Sequence, residues 1–133
     1  MKNGWLSGFA AAAVMMLFSA CFHDNNYLQP EDFVRAMRKE GLKIERVNRL
    51  DPRPLGATEA LEARVAGSGI GIYKFDRTSK VTNDRLAKVK KSKKIYFNGI
   101  PYPVYEVYGS FFVVGLDKNP EKHKILEVLR DFR

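Results

Sequence analysis

KIYFNGIPYPVYEVYGSFFVVGL, residues 94–116, is the stretch whose reading decides the fold. Ile95, Tyr96 and Phe97 are residue types that suit a pleated, half-buried surface. They run into Asn98-Gly99, the pair that best tolerates the two positive φ angles of a type I′ hairpin turn. Pro101 and Pro103 lack backbone donors, so the returning segment reads as an edge or a loop. Residues 104–108, the turn Gly109-Ser110 and residues 111–116 read as a second hairpin. Two antiparallel hairpins in 23 residues make a sheet the centre of the domain.

Working outward, residues 119–132 carry an amphipathic helix. Ile125, Leu126, Leu129 and Phe132 repeat at helical spacing, with Asn119 as the cap and Pro120 in the first turn. Before the hairpins, Thr82 or Asn83 caps a helix that runs to about residue 92, with Leu86 and Val89 as its apolar positions. Residues 57–66 carry two competing patterns. Their Ala, Glu and Leu favour helix, while Leu61, Ala63 and Val65 alternate with Glu62 and Arg64 as a strand does. The balance favours a hairpin turning across residues 67–69 into a strand with Ile70, Ile72, Tyr73 and Phe75. Residues 43–50 read as a strand ended by Asp51-Pro52-Arg53-Pro54. Residues 30–42 form the best-specified element. Pro30 opens a helix, Glu31 and Asp32 suit its positive end, Phe33, Val34 and Met37 make its stripe, and Gly41 stops it.

This order predicts an α+β domain. It is a single antiparallel sheet of about four to six strands packed by about three helices on one face.

The first 21 residues follow another logic. Lys2 is a short positive start, residues 5–18 are apolar or small apart from Ser7, and small residues precede Cys21, the only cysteine. A charged start, a short apolar run and small residues before a cleavage point mark a secretion signal. The run falls short of the roughly 20 apolar residues that a spanning helix needs. Phe18-Ser19-Ala20-Cys21 resembles the lipobox of bacterial lipoprotein precursors, with Phe18 where that class usually has Leu. The resemblance implies removal of residues 1–20, lipidation of Cys21 with acyl chains such as palmitate, and anchoring to the cell envelope. Phe22, rather than Asp, after the cysteine implies the periplasmic face of the outer membrane in a Gram-negative cell. Several acyl chains anchor far more firmly than one. The domain resembles other small lipoprotein domains in architecture only. The expected division is residues 1–20 as signal, 21–29 as lipidated cysteine and tether, and 30–133 as one domain. Lys2 is the only charged residue removed, so the formal charge falls from +8 to +7.

Little in the chain points to catalysis. Two histidines and one cysteine cannot supply a His/Cys metal site with ordinary ligand spacing. Gly67-Ser68-Gly69-Ile70-Gly71 precedes a strand, whereas a phosphate-cradling loop leads into a helix. The expectation is a non-enzymatic protein with neither metal nor cofactor. A small hydrolase using His123 is the least favoured alternative.

Two surfaces are candidates for binding. Arg85, Lys88, Lys90, Lys91, Lys93 and Lys94 form the densest basic run, suited to anionic lipid, lipopolysaccharide or a wall polymer. Tyr102, Tyr105 and Tyr108 could form an aromatic surface for a sugar or peptide. The expected partners are therefore the membrane, through the anchor, and an envelope protein or anionic polymer. An exported protein rarely meets nucleic acid, which is set aside.

Overall fold

A computed structural model describes residues 24–133. The expected signal segment, Cys21 and His23 lie outside them. Among the described residues three α-helices accompany a five-stranded antiparallel sheet and a separate two-stranded ribbon. The α+β class is as expected.

Helix α1 (Pro30–Lys39) begins and ends as its sequence dictates. The Gln29 N–H donates to Asp32 Oδ2 at 2.7 Å, and Gly41 takes φ +88° just beyond the helix. The N–H of Leu42 returns to the Met37 carbonyl at 3.0 Å, closing the last turn, and its side chain is buried on the stripe. Strand β1 (Ile44–Arg49) follows, then a 3-10 turn over Arg53–Leu55. β2 (Glu59–Val65) and β3 (Ser68–Lys74) settle the ambiguous stretch as a hairpin. Its turn is Ala66-Gly67, one residue earlier than residues 67–69, and both residues have positive φ as a type I′ turn requires.

Helix α2 (Lys80–Ser92) starts earlier than Thr82 or Asn83, because Ser79 is its cap and accepts from the Thr82 N–H. β4 (Lys94–Phe97) and β5 (Ile100–Pro103) form the ribbon around Asn98-Gly99, both at positive φ. β6 is only Val107–Tyr108, and β7 is Phe111–Val114. Helix α3 (Lys122–Arg130) begins later than expected. Asn119 does not cap it directly. Its Oδ1 accepts from the Glu121 N–H and its Nδ2 donates to the Val65 carbonyl, tying the approach to the end of β2.

The sheet order is β1-β2-β3-β7-β6, and the sheet is covered on both faces. Leu61, Ile70, Ile72, Phe111 and Val113 point to one side, where they meet Phe33, Val34 and Met37 of α1 and Ile125 and Leu129 of α3. Tyr73, Phe75 and Phe112 point to the other side, against Leu86 and Val89 of α2, Ile95 of the ribbon and Val104. The expectation of helices on one face is thus corrected. The central strands are apolar on both faces, and each face needs a cover.

A second correction concerns the tether. Asn25 is fully buried. Its Nδ2 donates to the carbonyls of Tyr108 (3.1 Å) and Phe132 (3.0 Å), and its Oδ1 accepts from the Ser110 N–H at 2.8 Å. Asn26 Oδ1 accepts from the Arg77 N–H and the Ser110 hydroxyl. Residues 25 and 26 therefore belong to the folded domain. They clamp the β6–β7 turn, the end of α3 and the loop before α2. Gly109 makes room for the clamp: at φ +58°, a Cβ there would lie 2.2 Å from Asn25 Oδ1.

Candidate functional site

The basic run lies on α2 and the start of β4. Residues 80–94 hold seven cations and one carboxylate, Asp84. Leu86 and Val89 are buried against Phe75 and Phe112, which fixes the rotation of the helix. At about 100° per residue, Arg85 and Lys88 then leave along one flank, Lys90 along the other, and Lys91 points away from the core. The six predicted cations therefore do not form one face. The helix divides them between two grooves.

The first groove, about 540 Å³, lies between the 3-10 turn, α2 and β4. Its floor includes Phe75, Leu86, Val89 and Phe112, and its rim includes Arg85, Lys88 and Lys94. Gly56 shapes one wall. Its φ of +71° turns the chain out of the 3-10 turn, and the Arg85 guanidinium lies where a side chain would stand, 1.3 Å from an ideal Cβ. Arg53 also reaches this groove but is held by Asp51 in two parallel bonds of 2.9 and 3.0 Å. Those bonds keep the Asp51 carboxyl below the usual carboxylate range and raise the Arg53 guanidinium.

The second groove, also about 540 Å³, is lined by Lys90 and Lys93 together with Tyr105, Glu106 and Tyr108. Glu106 faces Arg130 at 3.4 Å through Oε1, while its buried Oε2 has no hydrogen-bond partner. This flank holds a carboxylate beside its cations, and the first groove's rim holds none for Arg85, Lys88 or Lys94. No ion pair among the described residues involves any of the six cations. Lys94 does lie 5.7 Å from the centre of the Tyr96 ring. Lys93, just past the helix at φ +57°, turns the chain so that β4 leaves beside α2.

The predicted tyrosine surface does not assemble. Tyr102 is exposed on the ribbon. Tyr105 and Tyr108 are half-buried against the α1–α3 side, where Lys122 lies 4.9 Å over the Tyr105 ring and Arg130 Nε donates to the Tyr108 hydroxyl. That hydroxyl is the main cause of the raised pKa of Arg130. What the sequence does not show is that the ribbon's aromatic and apolar side chains stand outside the main sheet, exposed. Tyr96, Phe97, Ile100 and Tyr102 are all more than a third exposed, and Tyr96 and Ile100 more than half. Ile95, Tyr96 and Phe97 suit a half-buried pleated surface, but only Ile95 is buried, because their hairpin is a ribbon outside the main sheet.

His123 is exposed on α3 and makes no hydrogen bond among the described residues, so no His–carboxylate pair forms there. Glu59 and Glu62 share β2 while Glu106 sits beside Arg130, and no hydrogen bond joins any two of these carboxylates. Among the described residues no group of three or more His, Cys, Asp or Glu could hold a metal ion. No helix among them is long and apolar enough to cross a membrane. Compared with protein families, with curated proteins and with solved structures, the chain finds no match.

Proposed function

We propose that this chain is an exported, non-enzymatic envelope lipoprotein, anchored through Cys21, whose domain presents an anion-facing surface on α2 and β4. One observation carries the binding half of this reading. The five ion pairs among the described residues all engage arginines elsewhere, while Arg85, Lys88, Lys90, Lys91, Lys93 and Lys94 have no ion-pair partner. Seven cations within 15 residues repel one another, and an external anion relieves that repulsion. The anchor is supported by the order of residues 1–21, and the outer membrane by Phe22 after the cysteine. An anchored domain stays within reach of phosphate-bearing lipid, lipopolysaccharide or wall polymer.

The binding test is charge reversal. Each basic residue near an anionic surface contributes about 1 kcal/mol, so Arg85→Glu, Lys88→Glu, Lys91→Glu and Lys94→Glu together should weaken salt-sensitive binding to anionic vesicles or lipopolysaccharide at least thousandfold. Binding that survives the reversal refutes the anion-facing surface. The anchor has its own test. Cys21→Ser should abolish palmitate incorporation and release the protein from membranes, and a variant that still incorporates palmitate refutes lipidation at Cys21.

A further inference from the structure

We infer that the β4–β5 ribbon is a membrane-contacting arm whose tip enters the interface of an anionic bilayer. The inference rests on the anion-facing reading above and names the bilayer as the surface concerned.

The ribbon's register gives it an unusual chemistry. Lys94 pairs with Pro103, Ile95 with Tyr102, Tyr96 with Pro101 and Phe97 with Ile100. Side chains alternate along a strand and cross-strand partners share a face. Tyr96 and Pro101 therefore occupy one face, and Phe97 and Ile100 the other. At the base, Ile95 is buried against the domain. Beyond it the paired side chains are aromatic or apolar on both faces and exposed, up to the Asn98-Gly99 turn that ends the arm. A groove on another protein would cover one face of such an arm. A bilayer interface covers both.

The prolines point the same way. Pairs across an antiparallel ribbon alternate between hydrogen-bonded and non-hydrogen-bonded. The Val104 N–H donates to the Lys93 carbonyl at 2.9 Å, which identifies that pair as hydrogen-bonded. Counting along the ribbon, Ile95–Tyr102 and Phe97–Ile100 are bonded pairs, while Lys94–Pro103 and Tyr96–Pro101 are not. Positions 101 and 103 thus face the free edge of β5, where both lack an N–H. The ribbon keeps its own ladder, and its outer edge is stripped of the donors that strand addition by a partner chain would use.

Charge completes the match. Lys93 and Lys94 stand at the arm's base and Lys88 and Lys91 on the adjoining helix, unpaired and placed for headgroup phosphates. Tyr96 and Tyr102 are amphipathic side chains of the kind that settle at the headgroup level. Cations behind, tyrosines between and Phe97 with Ile100 beside the terminal Asn98-Gly99 turn follow the polarity gradient of an anionic bilayer surface.

The test uses the full chain carrying Trp5→Phe and Phe97→Trp, which leaves one tryptophan, at position 97. Vesicles of phosphatidylglycerol and phosphatidylcholine, with bromine on the acyl chains, report its depth. We expect blue-shifted emission and bromine quenching with anionic vesicles. Quenching is local to position 97, so an anchor elsewhere in the chain cannot produce it. In parallel, Phe97→Ser with Ile100→Ser should lower the affinity tenfold or more in high salt, where headgroup attraction is screened. Vesicle-bound protein with an unquenched, solvent-exposed reporter overturns the arm while leaving the anion-facing surface intact. Failure to bind anionic vesicles at all, at low salt, overturns both. Quenching that appears equally with pure phosphatidylcholine upholds insertion and overturns the part assigned to the cations.

Discussion

Replacing Asn25 by alanine tests the claim that the domain begins ahead of α1. The side chain is fully buried and joins three backbone groups distant in sequence: the Ser110 N–H and the carbonyls of Tyr108 and Phe132. Truncation leaves the N–H of Ser110, itself fully buried, without its acceptor. An orphaned buried donor costs about 1–3 kcal/mol. The Tyr108 carbonyl adds less, because its bond to Asn25 is only partly buried, whereas the Phe132 carbonyl is buried and adds more. A total of about 2–4 kcal/mol follows, a large share of the 5–15 kcal/mol typical of a domain. At roughly 4 °C per kcal/mol for a domain of this size, the melting temperature should fall by about 8–16 °C. Urea unfolding followed by far-ultraviolet circular dichroism measures the change, with an unaltered slope indicating that the unfolded state is the same. Asn25→Asp sharpens the test. It keeps an acceptor for Ser110 but turns a carboxylate towards two carbonyl oxygens, so burial and repulsion raise its pKa and the variant should regain stability as the pH falls. A loss below about 0.5 kcal/mol, the range of ordinary surface substitutions, would mean that residues 24–29 are a free tether after all.

Gly109→Ala should cost more in the wild-type background than beside Asn25→Ala, since its Cβ meets the Asn25 carboxamide at 2.2 Å; a double-mutant cycle with no coupling refutes the contact. Burial, and secondarily the charge of Glu62, raises the Tyr73 phenol above its ordinary pKa. Its contribution is therefore fully present below the unfolded pKa, near 10, and is lost as the pH rises through the folded value. Tyr73→Phe should accordingly resist alkaline unfolding better than wild type, and equal stability loss above pH ~10 argues against a buried phenol. Hydrogen bonds from the Thr78 hydroxyl and N–H lower the Asp76 pKa. Asp76→Asn should therefore be less stable than wild type at neutral pH, and the gap should close as acid protonates Asp76 through its lowered folded pKa. A gap that persists in strong acid contradicts that account.

The elements legible in the sequence are those whose signals are local. Pro30, the acidic first turn, Gly41 and Leu42 specify α1 within 13 residues, and Asn98-Gly99 specifies a turn by itself. Asn25 was not legible, because nothing local distinguishes it from a solvated asparagine. Its partners lie 83, 85 and 107 residues away and exist only once the sheet and α3 are in place. The two-sided sheet had a signal that went unused. Tyr73 follows Ile72 directly, and Phe111, Phe112 and Val113 run without a polar break, as strands do when both faces are buried. The basic run also contained its own division, since spacings of three and two residues around the buried pair Leu86 and Val89 send side chains to opposite flanks.

The prolines of the ribbon show why a residue's meaning depended on register. Read singly, Pro101 and Pro103 are strand breakers that consign the return from Asn98-Gly99 to an edge or a loop. The two-residue turn fixes which pairs bond. Phe97 and Ile100 close it as a bonded pair, so every second residue after Ile100 bonds inward and the ones between face outward. Pro101 and Pro103 fall on the outward positions and cost the ladder nothing. Shifted by one residue, the same two prolines would remove the inward donors of β5 and the arm would not form. Moving them is therefore a direct test of whether that arm is needed. Tyr102→Pro should dissolve the ribbon, whereas Pro101→Thr should leave it folded with a donor on its open edge. If Pro101→Thr then makes the protein self-associate through that edge, protection of the edge is the reason for the prolines. If it stays monomeric and its vesicle binding is unchanged, the edge needs no protection.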